Sequence, residues 1–281
     1  ALEDFIAERS SVTAGYDPER PPVAVLPWGD AAVIGDAGFA VFRRLVERAD
    51  FKFDDEFWGL VPLVYGRQRI RAAYEIFSGL PVSVWESQPE YHQYRKAFLD
   101  AYSDMCSKAG RGECRAWLSS LLKGFTEEEL LRYAQGVLRE EPLREIAEIK
   151  DLVGLLLRSG FDVWVIDSDN QKILEAAAKR YGVDPSRVVG LRLAPAKGGK
   201  LAPGIVGPIL IRSGKVEAAV SAFGRPPQFV IAAAPGDAEL LRYGAGLRLV
   251  LDGGDATLRR SAEENGWLVQ HSFAAGSMGL P

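Results

Sequence analysis

Apolar residues fall along this chain in two different periods, and the order of those periods predicts the architecture. Residues 23–26, Val-Ala-Val-Leu, are an unbroken apolar run between Pro21-Pro22 and Pro27, the form of a parallel strand buried on both faces. A loop over residues 27–36 leads into a helical pattern at 39–48, with Phe39, Phe42, Leu45 and Val46 on one face. From about Phe51 to Glu141 the chain reads as almost entirely helical, and Thr126-Glu127-Glu128-Glu129 is a capping box that opens one of these helices. Alternation then begins. Pro142 is expected at the start of a helix reaching Leu157 and ending at Gly160. Residues 161–166 read as a buried strand, and 171–181 as a helix stopped by Gly182. Residues 187–193 and 205–211 are expected to form a hairpin-like excursion around a Gly-rich turn at 197–200. Helices at 215–223, 237–243 and 256–265 then alternate with strands at 228–233, 247–251 and 267–270.

Strand–helix alternation at both ends of the chain implies an α/β fold with a doubly wound parallel sheet. Residues 1–49 and 142–281 are expected to form the core domain, and residues 50–141 a helical cap domain inserted after the first βα unit. Such a cap lies over the carboxyl ends of the strands, where open α/β sheets bind ligands. A small-molecule ligand is therefore expected in the core–cap cleft.

Composition narrows the partners. A net charge of −4 provides no basic patch, which argues against nucleic acid. No stretch approaches the roughly 20 apolar residues of a membrane span. Two histidines and two cysteines are too few for a His/Cys metal cage. The chain begins at Ala1 rather than Met, so an N-terminal segment is expected to have been removed. Cys106 and Cys114 flank a polar stretch, 107–113. They are either two separate helix-end thiols or a disulfide closing that stretch, and spacing alone leaves both open. The disulfide would favour a secreted or periplasmic setting.

Four stretches carry candidate chemistry: Ala24-Val25-Leu26-Pro27-Trp28-Gly29-Asp30-Ala31, Val163-Trp164-Val165-Ile166-Asp167-Ser168-Asp169, Gly214-Lys215-Val216-Glu217-Ala218 and Ala232-Ala233-Ala234-Pro235-Gly236-Asp237. In these stretches and in their order the chain resembles the haloacid dehalogenase (HAD) superfamily, above all its phosphoserine- and phosphorylcholine-phosphatase-like members with a helical cap. The resemblance covers nearly the whole chain and implies a Rossmannoid core and Mg²⁺-dependent phosphohydrolase chemistry. In that family the first stretch ends in Asp-x-Asp-x-Thr. Its first aspartate is the nucleophile that becomes an aspartyl-phosphate, and its second is the acid/base. Here Pro27, Gly29 and Ala31 stand at those three positions. Asp167 stands for the phosphate-binding hydroxyl, where a carboxylate would repel phosphate. Lys215 retains the family's basic residue. Ala233 and Pro235 stand where acidic residues help to hold Mg²⁺, and only Gly236-Asp237 is kept. Magnesium requires oxygen ligands, so no cofactor is expected, although Mg²⁺ is the family's metal.

The expectation is a pseudoenzyme, an inactive phosphatase homologue that binds a small ligand or a partner. Alternatives are an enzyme with metal-independent chemistry using Asp30, Asp167 or Asp169 as acid or base, a HAD hydrolase with atypical residues, and an interaction protein whose helical cap is the contact surface. Trp28, Asp30, Asp167, Ser168, Asp169, Asn170, Lys215 and Asp237 are the ligand-facing candidates. Ordinary structural roles stand beside them. Asp30 suits a turn, Asp36 and Asn170 suit helix caps, and Asp237 suits the N-cap of its own helix. Trp28 and Trp164 are expected to pack at the sheet edge, with Trp28 alternatively a pocket wall. Lys215 is expected to pair with Asp167 or to bind a ligand anion. His92 and His271 are given no role.

Overall fold

The computed structural model describes residues 2–273. Its strands are β1 (Val23–Leu26), β2 (Val33–Ile34), β3 (Arg144–Glu145), β4 (Asp162–Asn170), β5 (Val188–Pro195), β6 (Leu201–Val206), β7 (Phe229–Ala232), β8 (Leu247–Asp252) and β9 (Leu268–His271). Seven of these form one sheet in the order β6-β5-β4-β1-β7-β8-β9, parallel except for β6, which runs antiparallel to β5. The doubly wound parallel sheet expected from the alternation is present. β1 sits at its centre, with Val25 paired to Trp164 of β4 and to Val230 of β7. Both faces of β1 are covered, which is why its four residues are all apolar and all buried.

Helices pack on both faces and divide the buried side chains by the strand period of two. Ala24 and Leu26 point into a cluster with Phe42, Phe57, Phe98, Trp117 and Leu121. Val23 and Val25 point into a second cluster with Trp164, Ile166, Ala218, Leu240 and Leu258. The first cluster runs without a break from the sheet into the helical segment that follows the helix Ala37–Arg48. That segment contains helices Asp55–Leu60, Arg67–Phe77, Pro89–Ala109, Arg111–Ser120 and Glu127–Glu140. Phe42 joins the two regions, its ring centroid 6.2 Å from those of Phe98 and Trp117. The Thr126 capping box forms as read from the sequence.

Several boundaries differ from the sequence expectation. β4 continues through Asp167-Ser168-Asp169-Asn170, with an irregular register between Ile166 and Asn170. Pro142 does not start a helix. Arg144–Glu145 instead pairs with Val33–Ile34, and the helix begins at Ala147. The second strand of the excursion lies at Leu201–Val206 rather than 205–211. Trp28 and Trp164 do not pack at a sheet edge, because β1 and β4 are interior strands.

Cys106 and Cys114 form a disulfide. The residues between them are helical apart from Gly110, whose φ of 94° breaks the chain between two helices. The bond therefore joins two helix ends rather than closing a loop. Its second cysteine directly precedes Arg115. Chain entropy for so short a closure assigns it about 2–3 kcal/mol. Thermal unfolding with dithiothreitol should show a melting temperature several degrees lower, equal to that of a Cys106→Ser/Cys114→Ser variant. Equal melting with and without reductant would show that the bond contributes nothing.

Candidate functional site

After β1 the chain turns back on itself, with the Ala32 amide donating to the Trp28 carbonyl at 2.8 Å and the Asp30 amide to the Val33 carbonyl at 3.0 Å. Asp30 takes φ = 60° in this turn, a left-handed conformation that aspartate tolerates better than most residues. The turn aims two successive amides at the end of β4. There Asp167 Oδ2 accepts from Trp28 N at 2.6 Å and from Gly29 N at 3.0 Å. Its Oδ1 accepts from Ser168 N at 2.6 Å, with Ser168 Oγ at 3.4 Å. Burial pushes the Asp167 carboxyl upward, but the Lys215 ammonium, the Trp28 and Ser168 amides and Arg115 outweigh it and hold the group below its ordinary value.

Lys215 lies in the helix Ser213–Phe223 and is only 4% exposed. Its Nζ donates to Asp237 Oδ1, so its direct partner is Asp237 rather than the expected Asp167. Asp237 Oδ2 accepts from the Ala233 and Ala234 amides, each at 3.1 Å. Asp237 does not cap its helix with its side chain. The carboxylate turns back to the end of β7, where a buried ammonium requires a counter-charge. Burial works to lower the Lys215 pKa, and Asp237 and Asp167 together raise it instead.

A second ionic group lies alongside. Asp169 is 5% exposed. Its Oδ1 accepts from Arg115 at 2.6 Å and its Oδ2 from Gly38 N at 3.0 Å. A Cβ at position 38 would stand 2.4 Å from Asp169 Oδ1, so only glycine allows this approach. Arg115 also pairs with Asp36, which caps the helix Ala37–Arg48 through Phe39 N at 2.6 Å. Burial is the main reason the Asp169 carboxyl is raised. Arg115 opposes this, and the neighbouring Asp167 charge adds to it. Arg115 was not among the sequence candidates. Its signal was present: it lies one helical turn before Leu118 on the buried face of Arg111–Ser120, and a cation on an apolar face implies a buried anion.

Trp28, Asp167, Ser168, Lys215 and Asp237 thus converge at the carboxyl ends of β1, β4 and β7, with Asp169 beside them. Trp28 contributes its amide. Its ring is buried edge-on against Tyr181 at 4.8 Å. Asp30 stands at the rim, 3.6 Å from Arg111. Asn170 caps the helix Gln171–Ala178 and takes no part. His92 bonds the Glu86 carbonyl, and His271 lies exposed on β9.

The cavity beside Asp169, Arg115 and Gly38 is about 10 Å³, space for one water at most. Magnesium, the metal implied by the resemblance, does not fit the residues present. Pro27 and Ala233 bring no side-chain oxygen, the Asp167 oxygens are bonded to amides, and Asp237 is bonded to Lys215 and two amides. Among the described residues no group of three His, Cys, Asp or Glu side chains is placed to hold a metal.

No family model and no curated protein matches the chain. Solved structures do. A conserved protein of unknown function from Anaerococcus prevotii DSM 20548 superposes with a TM-score of 0.83 at 22% identity, covering 95% of this chain and 90% of its own. A protein of unknown function from Bordetella pertussis Tohama I gives 0.62 at 15% identity, covering 89% of this chain and 98% of its own. A substrate-bound phosphoserine phosphatase complex gives 0.49 at 12% identity, covering 88% and 91%. At these identities the likeness is one of fold, an α/β core with β1 central and a helical segment following its first βα unit.

Proposed function

We propose that this protein is a HAD-like fold without phosphohydrolase chemistry, retained for binding. Residues 1–49 and 142–281 act as the core in this reading and residues 50–141 as a helical cap. One observation supports it most: the buried and half-buried charged groups at the ends of β1, β4 and β7 are bonded to internal partners. Asp167 is bonded to amides, Lys215 to Asp237, and Asp169 to Arg115. A phosphatase needs a free carboxylate to attack phosphorus and another to move the leaving-group proton, and Pro27 and Gly29 offer neither. Acid–base chemistry by Asp169 is disfavoured for a related reason. Its raised carboxyl is a suitable acid, but it lies behind Arg115 in a space too small for a substrate.

A second reading, contact through the helical segment, is favoured by Leu63, Val64, Ile76 and Val82, which are 57–84% exposed there. The disulfide supports a secreted or periplasmic setting. Calorimetric titration of the whole protein with millimolar Mg²⁺ tests the first reading. No saturable binding is expected. A saturable site lost on replacing Asp237 by Asn would contradict it.

A further inference from the structure

We infer that Asp167 is an internal ligand whose carboxylate fills an oxyanion cradle, made by the Trp28, Gly29 and Ser168 amides with the charge of Lys215, and thereby keeps free oxyanions out. The inference rests on the reading of a site without hydrolysis and says what occupies that site.

Three features carry it. The first is the direction of the donors. Two successive backbone N–H groups converge on one oxygen at 2.6 and 3.0 Å, and a third serves the other oxygen at 2.6 Å. Successive amides pointing into one concavity form an anion site, and such donors bind the oxygens of phosphate or sulfate as readily as those of a carboxylate. The second is charge. Asp30, Asp36, Asp167, Asp169 and Asp237 face Lys215, Arg111 and Arg115, five carboxylates against three cations. A further dianion would enter an already negative site. Burial is the main reason the Asp169 carboxyl is raised, and the Asp167 charge adds to it. The third is access. Gly29 and Asp167 are half-buried, and the Asp30 and Arg111 side chains at the rim are 51% and 60% exposed. The cradle is therefore only partly covered on its Gly29 side, and the Asp167 side chain occupies it. A tethered carboxylate acts at high effective concentration, so millimolar phosphate does not displace it.

Replacing Asp167 by serine removes one negative charge, shortens the side chain and leaves the three amides and Lys215 in place. The test is binding of inorganic phosphate, followed by calorimetry and by the thermal shift it produces, to the native protein, Asp167→Ser, and Asp167→Ser/Lys215→Met. Asp167→Ser is expected to bind phosphate at least about tenfold more tightly than the native protein. Sulfate should compete, and the second substitution should abolish the gain. Native binding as tight as that of the variant overturns the inference. So does a folded Asp167→Ser that neither binds phosphate nor melts higher in its presence. Should Asp167→Ser not fold, the native Asp167 carboxyl resonance decides. Ionisation persisting below pH 3.8 supports the internal ligand, and titration above that value overturns it. Saturable Mg²⁺ binding by the native protein would instead remove the functional reading while leaving these outcomes separate.

Discussion

Lys215→Met should destabilise the folded protein by about 3–5 kcal/mol, the range for removing one partner of a buried ion pair. Lys215 and Asp237 have side chains 5% and 3% exposed, so water cannot replace the lost ammonium. Asp237 would keep its two amide donors but lose its counter-charge. Asp167 would lose the cation that contributes most to keeping it ionised. A double-mutant cycle with Asp237→Asn should show coupling, since the second substitution removes a charge that the first has orphaned. The effect depends on pH with a definite sign. Asp167 has a lowered carboxyl pKa in the folded state, so its stabilising contribution is present above about 3.8 and lost as the pH falls through the lower folded value. The deficit of Lys215→Met should therefore be largest near neutral pH and shrink below about 3.8. Urea unfolding at several pH values measures it. A neutral-pH deficit under about 1 kcal/mol would mean that the pair is not held away from solvent.

Arg115→Met should have a comparable effect of about 3–5 kcal/mol, through a carboxyl whose pKa is shifted the opposite way. Asp169 and Asp36 both depend on this guanidinium. The Asp169 carboxyl is already raised in the folded state, so its contribution is fully present below about 3.8 and is lost as the pH rises through the raised folded value. Without Arg115 burial is opposed chiefly by the Gly38 amide and Arg111, and that value rises further. The variant should be weakest at neutral pH and recover more than the native protein on acidification. Urea midpoints across the same pH series test this. A deficit that grows on acidification would contradict the assignment.

Features fixed by neighbours in sequence were legible before the fold was known. The Asp36 and Asn170 caps and the Thr126 capping box lie within one helical turn of their partners. The central strands were legible because parallel strands buried on both faces are continuous apolar runs, as at β1 and β7. What was not legible depends on partners far along the chain. β3 exists because Arg144–Glu145 meets Val33–Ile34, and neither pair carries a strand pattern. The polar end of β4 gains its strand from pairing Asn170 with Leu191. Arg115 reaches Asp169 across 54 positions, and Lys215 reaches Asp237 across 22. Asp237 read as a cap because its local context suits one. The buried ammonium, invisible from that context, turned it the other way.

Steady-state hydrolysis of p-nitrophenyl phosphate by the native protein, with and without millimolar Mg²⁺, bears most directly on a site whose charges are committed to one another. Release of p-nitrophenol at the rate of a heat-inactivated control is expected under both conditions. Mg²⁺-dependent turnover above that control, lost when Asp167 or Asp237 is replaced by asparagine, would contradict it.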